Sequence, residues 1–155
     1  ACNKTEISMK VKCLSQNYTT KNAPCFFKPD KDFKDMDEFI SFSTFTSTEE
    51  GTEYSIIVGA EYIVYGIMVH DNVMYYLISF EENQPPDWIP SCLFEVSENS
   101  IPYFWKFKTS VANNDEVMFI MSHSEIINNF NHMLALIQGN SSDFEKFKCI
   151  MNEYY

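Results

Sequence analysis

The hydrophobic and polar positions of this chain fall into two periods, one after the other. Residues 9–14, MKVKCL, alternate: Met9, Val11 and Cys13 face one side, and Lys10 and Lys12 the other. A period of two is the mark of a half-buried strand. Residues 15–35 are rich in Asn, Pro, Asp and Lys and read as a long loop. Residues 36–46 set Phe39, Ser41, Ser43 and Phe45 against Ile40, Phe42 and Thr44, a strand with aromatics on both faces. Glu49, Glu50 and Gly51 then supply turn chemistry. Two β-branched and aromatic runs, EYIVYGIMV at 61–69 and VMYYLISF at 73–80, flank His70-Asp71-Asn72 and predict a β-hairpin. An acidic loop follows over 81–87 and ends near the Pro85-Pro86 pair. Strands are expected near Val96 and over 103–108, with a turn at 97–100 between them.

Beyond residue 121 the period lengthens. Ile126, Ile127, Phe130, Met133, Leu134 and Ile137 recur at helical spacing, with a Ser122…Glu125 capping-box pattern before them and Gly139 as the stop. A second helix is predicted from a Ser142…Glu145 box and presents Phe144, Phe147, Ile150, Met151 and Tyr154. Residues 113–121 fit strand and helix equally well. The expectation is one domain over 1–155: a β unit over 9–108 with an inserted segment at 15–55, and a helical C-terminal extension over 109–155. Met9 could be a start, which would make residues 1–8 an appendage.

Composition changes this picture in two ways. Fourteen Phe and nine Tyr favour a strand-rich core. The net charge of −11 is unevenly placed. No lysine lies between Lys34 and Lys106, there is no arginine anywhere, and that span holds thirteen carboxylates, so it carries all of the net charge. Such a field disfavours nucleic acid and anionic lipid and steers a basic partner inward. The five cysteines, Cys2, Cys13, Cys25, Cys92 and Cys149, are odd in number and irregular in spacing. They read as reduced thiols of a cytoplasmic protein. Sequons at Asn3, Asn17 and Asn140 keep a secreted, glycosylated binding protein as an alternative. No apolar run reaches the roughly 18 residues of a membrane span.

No catalytic or metal motif emerges, and no cofactor is expected. His70 sits in the hairpin turn; His123 and His132 are nine apart, on opposite faces, and cannot share a metal at that spacing. There is no phosphate-cradling glycine loop and no nucleophile elbow. Cys25 has only lysines nearby to lower its pKa. The aromatic residues Tyr65, Tyr75, Tyr76, Trp88, Tyr103 and Trp105 are either binding anchors or core.

The order of pieces KVKC, YIVYGI, YYLI, WIPSCLFE and IPYFW resembles small bacterial proteins with a Src-homology-3-like barrel. Gly59, Tyr62, Val64, Tyr65, Gly66, Tyr76, Leu77, Ile78, Trp88, Pro90, Leu93, Phe94, Glu95, Pro102 and Trp105 stand at the pattern's positions. The WxPxxLFE element is its sharpest part. The resemblance implies a mainly β (α+β) fold: a small antiparallel barrel with two C-terminal helices packed on it. Many such proteins resemble immunity partners of polymorphic or contact-dependent growth-inhibition toxins. That implies a non-catalytic role: binding a cognate protein toxin, a basic nuclease domain, through an acidic surface. The candidate contacts are Glu49, Glu50, Asp71, Glu81, Glu82 and Asp87. The other reading is a peptide-binding adaptor using Tyr65, Trp88 and Pro90. The oligomeric state is left open.

Overall fold

The computed structural model describes residues 8–18, 53–70, 73–81, 83–111, 117–128 and 130–155. The expected strand at 36–46 and the turn at 48–52 lie outside them. Eight strands are present: β1 (Lys10–Cys13), β2 (Glu61–Ile63), β3 (Gly66–His70), β4 (Val73–Ile78), β5 (Asp87–Pro90), β6 (Phe94–Glu98), β7 (Trp105–Val111) and β8 (Val117–His123). Three helices follow: α1 (Ser124–Ile127), α2 (Phe130–Ile137) and α3 (Ser141–Tyr154). The strands form a three-stranded sheet, β2-β1-β6, and a five-stranded sheet, β5-β4-β3-β8-β7, with every pairing antiparallel. The fold is α+β and mainly β.

β1 is built as its alternation predicts. Met9, Val11 and Cys13 are buried while Lys12 is exposed. On the outer face Lys10 lies opposite Glu98, and Lys12 lies between Glu61 and Glu95. The hairpin of β3 and β4 also forms, in register from Gly66↔Leu77 to His70↔Val73.

The run 61–69 is not one straight strand. It breaks at Val64-Tyr65, where the chain leaves one sheet and enters the other. The Val64 amide donates to the Met9 carbonyl at 2.9 Å, and the next amide, Tyr65, donates to Leu77 at 2.9 Å. A second crossing lies between β5 and β6, through a single 3-10 turn over Ser91–Leu93. Chains that switch sheets at such bends make the corners of packed sheets. No ladder joins the remaining edges, so among the described residues the sheets are not closed into a barrel.

The layers follow from the two cores. Between the sheets lie Val11, Cys13, Ile56, Val64, Tyr76, Ile78, Ile89, Leu93 and Phe94. On the far side of the larger sheet, Met68, Tyr75, Leu77, Trp88 and Ile120 meet Ile126, Ile127, Met133, Leu136 and Phe147 of the helices. Period-two alternation sends neighbours such as Tyr75 and Tyr76 into different cores. The larger sheet is thus apolar on both faces, and the C-terminal helices cover one of them.

The C-terminal extension is not wholly helical. Residues 117–123 form β8, pairing with both β3 and β7. The first predicted helix is cut at Asn128, whose amide closes α1 on Ser124. Its cap is His123 rather than Ser122: the imidazole Nδ1 accepts from the Glu125 amide at 3.2 Å. Ser122 is buried and donates instead to the Tyr65 carbonyl. Gly139 has φ of +80° and ends α2 as expected. Asn140, not Ser142, caps α3, accepting from the amides of Ser142 and Asp143.

Candidate functional site

Of the six acidic residues expected at a partner surface, Glu49, Glu50, Asp71 and Glu82 lie outside the described residues. Glu81 is exposed in the loop between β4 and β5. That loop is organised by Ser79, whose hydroxyl donates to the carbonyls of Glu81 and Gln84 at 3.0 and 3.1 Å. The Gln84 amide closes the turn on the Glu81 carbonyl at 3.1 Å. These contacts fix the Glu81 backbone, and its carboxylate is exposed.

Asp87 differs from the others. It opens β5 opposite Ile78 and is only half-exposed. Its Oδ1 accepts from the Trp88 amide at 2.8 Å. Burial pushes its carboxyl up to about 6, partly offset by that hydrogen bond. Tyr54, buried beside it, is raised by its own burial first and then by the charge of Asp87, with Tyr75, Tyr18 and Cys92 adding to the effect. The Asp87 carboxyl, the Tyr18 and Tyr54 phenols and the Cys92 thiol thus form one group where the insert re-enters the β unit, and the Tyr75 phenol acts on it from the second core. The insert's two ends run side by side there: Tyr54 donates its amide to Gln16 at 2.9 Å, and Asn17 bridges Glu53.

This group has little nucleophilic capacity. Burial raises the Cys92 thiol, which keeps its proton near neutral pH. No imidazole belongs to the group. His123 is engaged as a helix cap, and burial lowers its pKa against the pull of Glu125 and Glu153. His132 is buried between α2 and α3, its Nδ1 2.6 Å from Asp143. The two histidines serve separate structural contacts. The His70 side chain lies outside the described residues. Among the described residues no three His, Cys, Asp or Glu side chains gather as a metal-binding group. Cys13, Cys92 and Cys149 are free thiols, buried, half-buried and exposed respectively.

The aromatic anchors separate cleanly. Tyr65, Tyr75, Tyr76, Trp88 and Trp105 are all core, whereas Tyr103 is 82% exposed. Tyr65, Trp88 and Pro90 do not line an open groove, because all three are buried. Phe147 and Tyr155 cover Tyr65, with ring centroids 5.4 and 4.8 Å away. A docked proline-rich peptide would have to displace the C-terminal helix. Trp105 seals the β unit against that helix, its indole N–H donating to the Tyr155 hydroxyl.

Sequence reasoning missed one surface feature. The exposed apolar side chains Ile101, Tyr103 and Phe107 follow one another at and before the start of β7. Their spacing in steps of two and four, with buried Trp105 at the position between Tyr103 and Phe107, gave the signal, but it reads equally well as the inner face of a strand. No helix among the described residues is long and apolar enough to cross a membrane. No family model, curated protein or solved structure matches the chain.

Proposed function

We propose that this chain is a non-catalytic binding protein of the toxin-immunity type. It takes up a basic protein partner, a nuclease domain, through its acidic central span. The observation that carries this reading is the unbroken run of thirteen carboxylates without a lysine between Lys34 and Lys106. A cleft built to bind phosphates is cationic, and a carboxylate-rich surface mimics what it binds. Glu81 leads the described part of that surface. Glu49, Glu50, Asp71 and Glu82 are the further candidate contacts of this reading, and half-buried Asp87 contributes least.

The scaffold of this reading is a Src-homology-3-like barrel extended by β7, β8 and the helices. Two features support it, the strand bent at Val64-Tyr65 between the two sheets and the 3-10 turn between β5 and β6, while the long insert after β1 departs from a minimal barrel. The free thiols Cys13, Cys92 and Cys149 suit a reducing, cytoplasmic setting.

The test is calorimetric titration of this chain against the variable C-terminal domain of a secreted protein encoded beside it. The reading expects tight binding that weakens when Glu49, Glu50, Asp71, Glu81 and Glu82 are made amides. Binding that is indifferent to all five changes would end the electrostatic mechanism.

A further inference from the structure

One edge of the molecule has the opposite character to the acidic span. β7 is the outermost strand of the five-stranded sheet and pairs with β8 along its length, from Trp105↔His123 to Val111↔Val117. Among the described residues nothing pairs with its other side. An edge strand turns alternate N–H and C=O groups outward, and these can accept a further strand.

Lys106, Phe107, Lys108 and Thr109 are all exposed. By alternation the two lysines share one face, and Phe107 and Thr109 the other. Phe107 is 69% exposed and stacks on Phe119, with centroids 6.0 Å apart and planes at 22°. Lys106 and Lys108 are the only lysines between Lys34 and Lys146. Among the described residues neither meets a carboxylate, whereas Lys10, Lys146 and Lys148 each do.

In a chain this acidic, two positive charges that meet no carboxylate among the described residues, on an edge that no described strand covers, select what may join it. A second copy pairing two-fold about Phe107 would set Lys106 against Lys108, and like charges facing across strands are destabilising. A strand carrying carboxylates at alternate positions is attracted instead.

We propose that the outer edge of β7 docks an extended acidic segment of a partner protein. The segment adds a further strand to the five-stranded sheet. Its alternate carboxylates face Lys106 and Lys108, and its apolar side chains lie on the Phe107 face. Lys106 and Lys108 lie outside the lysine-free span in sequence, so either proposal can fail without the other.

The experiment is an NMR titration of the isotope-labelled chain with a short blocked peptide of alternating Glu and Val. Controls are a Lys-Val peptide and two Glu-Val peptides, each N-methylated on one set of alternate nitrogens. The proposal expects amide shifts concentrated at 105–111, no binding of the Lys-Val peptide, and loss of binding for one N-methylated form. K106E/K108E, or K106Q/K108Q should the first variant fold poorly, should weaken binding about tenfold or more. Several results would overturn it: no shifts on β7, equal binding of the Lys-Val peptide, or indifference to the lysine changes. Association of two copies through β7, or outward β7 amides already protected by the chain itself, would overturn it too.

Discussion

At the scale of single residues, Asp87 is the least comfortable group in the described structure. Its carboxyl is raised from 3.8 to about 6 by burial. The folded state therefore holds this proton more tightly than the unfolded chain. The contribution to stability is fully present below 3.8 and is lost as pH rises through about 6, at a cost of at most about 3 kcal/mol. Asp87→Asn keeps an acceptor for the Trp88 amide but cannot ionise. It is expected to be more stable than the parent at about pH 8 and equal to it at about pH 4, as measured by urea unfolding at both. A gain of the same size at both pH values would point to packing instead. Gly66 makes a steric prediction. A Cβ there would meet Ser122 Cβ, Ser122 Oγ and Trp88 Cη2, each at 3.2 Å. Both neighbours are fully buried, so Gly66→Ala should cost about 1–2 kcal/mol in the same assay. The sequence could not single out Asp87. In the chain it is one more loop carboxylate, and its burial beside Tyr54 comes from a residue far away in sequence.

At the scale of elements, alternation made β1, β3 and β4 legible, because each buries one set of alternate residues among local turn signals. The bend at Val64-Tyr65 was not legible. Both residues belong to a continuous β-favouring run, and only their distant partners, Met9 and Leu77, assign them to different sheets. β8 was ambiguous because VMFIM is apolar at every position and too short for period to decide. The break at Asn128 and the His123 cap were missed for a related reason. Asn ends helices only by competing locally for the backbone, and His is not among the usual N-cap residues. Asn140 is such a residue and follows Gly139 directly, so that cap could have been read. Two predictions belong here. Gly139→Ala meets only Pro85 Cγ, at an ordinary contact distance of 3.8 Å, but must hold φ of +80°, which should cost about 1 kcal/mol. Tyr155→Phe removes the acceptor of the buried Trp105 indole, which should cost about 1–3 kcal/mol. A double-mutant cycle with Trp105→Phe tests this, since the two losses should not add.

At the scale of the whole molecule, charge and fold divide the labour. Among the described residues the two apolar cores and the covering helices take up most large aromatics, and what remains for recognition is charge together with a few exposed side chains such as Tyr103 and Phe107. The acidic span was legible from lysine placement alone. Its three-dimensional arrangement was not, since carboxylates adjacent in sequence carry no information on where loops bring them. The lysine edge at β7 went unread because its meaning depends on strand order. The central claim is that the acidic span recruits a basic protein domain. It is tested most directly by the dissociation constant for the variable C-terminal domain of a secreted protein encoded beside this chain, the proposed partner, measured across a range of ionic strength. Screening shortens the reach of exposed charges from about 30 Å at 0.01 M salt to about 8 Å at 0.15 M. The account predicts affinity that falls steadily over that range, with a slope flattened in the five-amide variant. An affinity independent of salt, with the same slope in parent and variant, would contradict it.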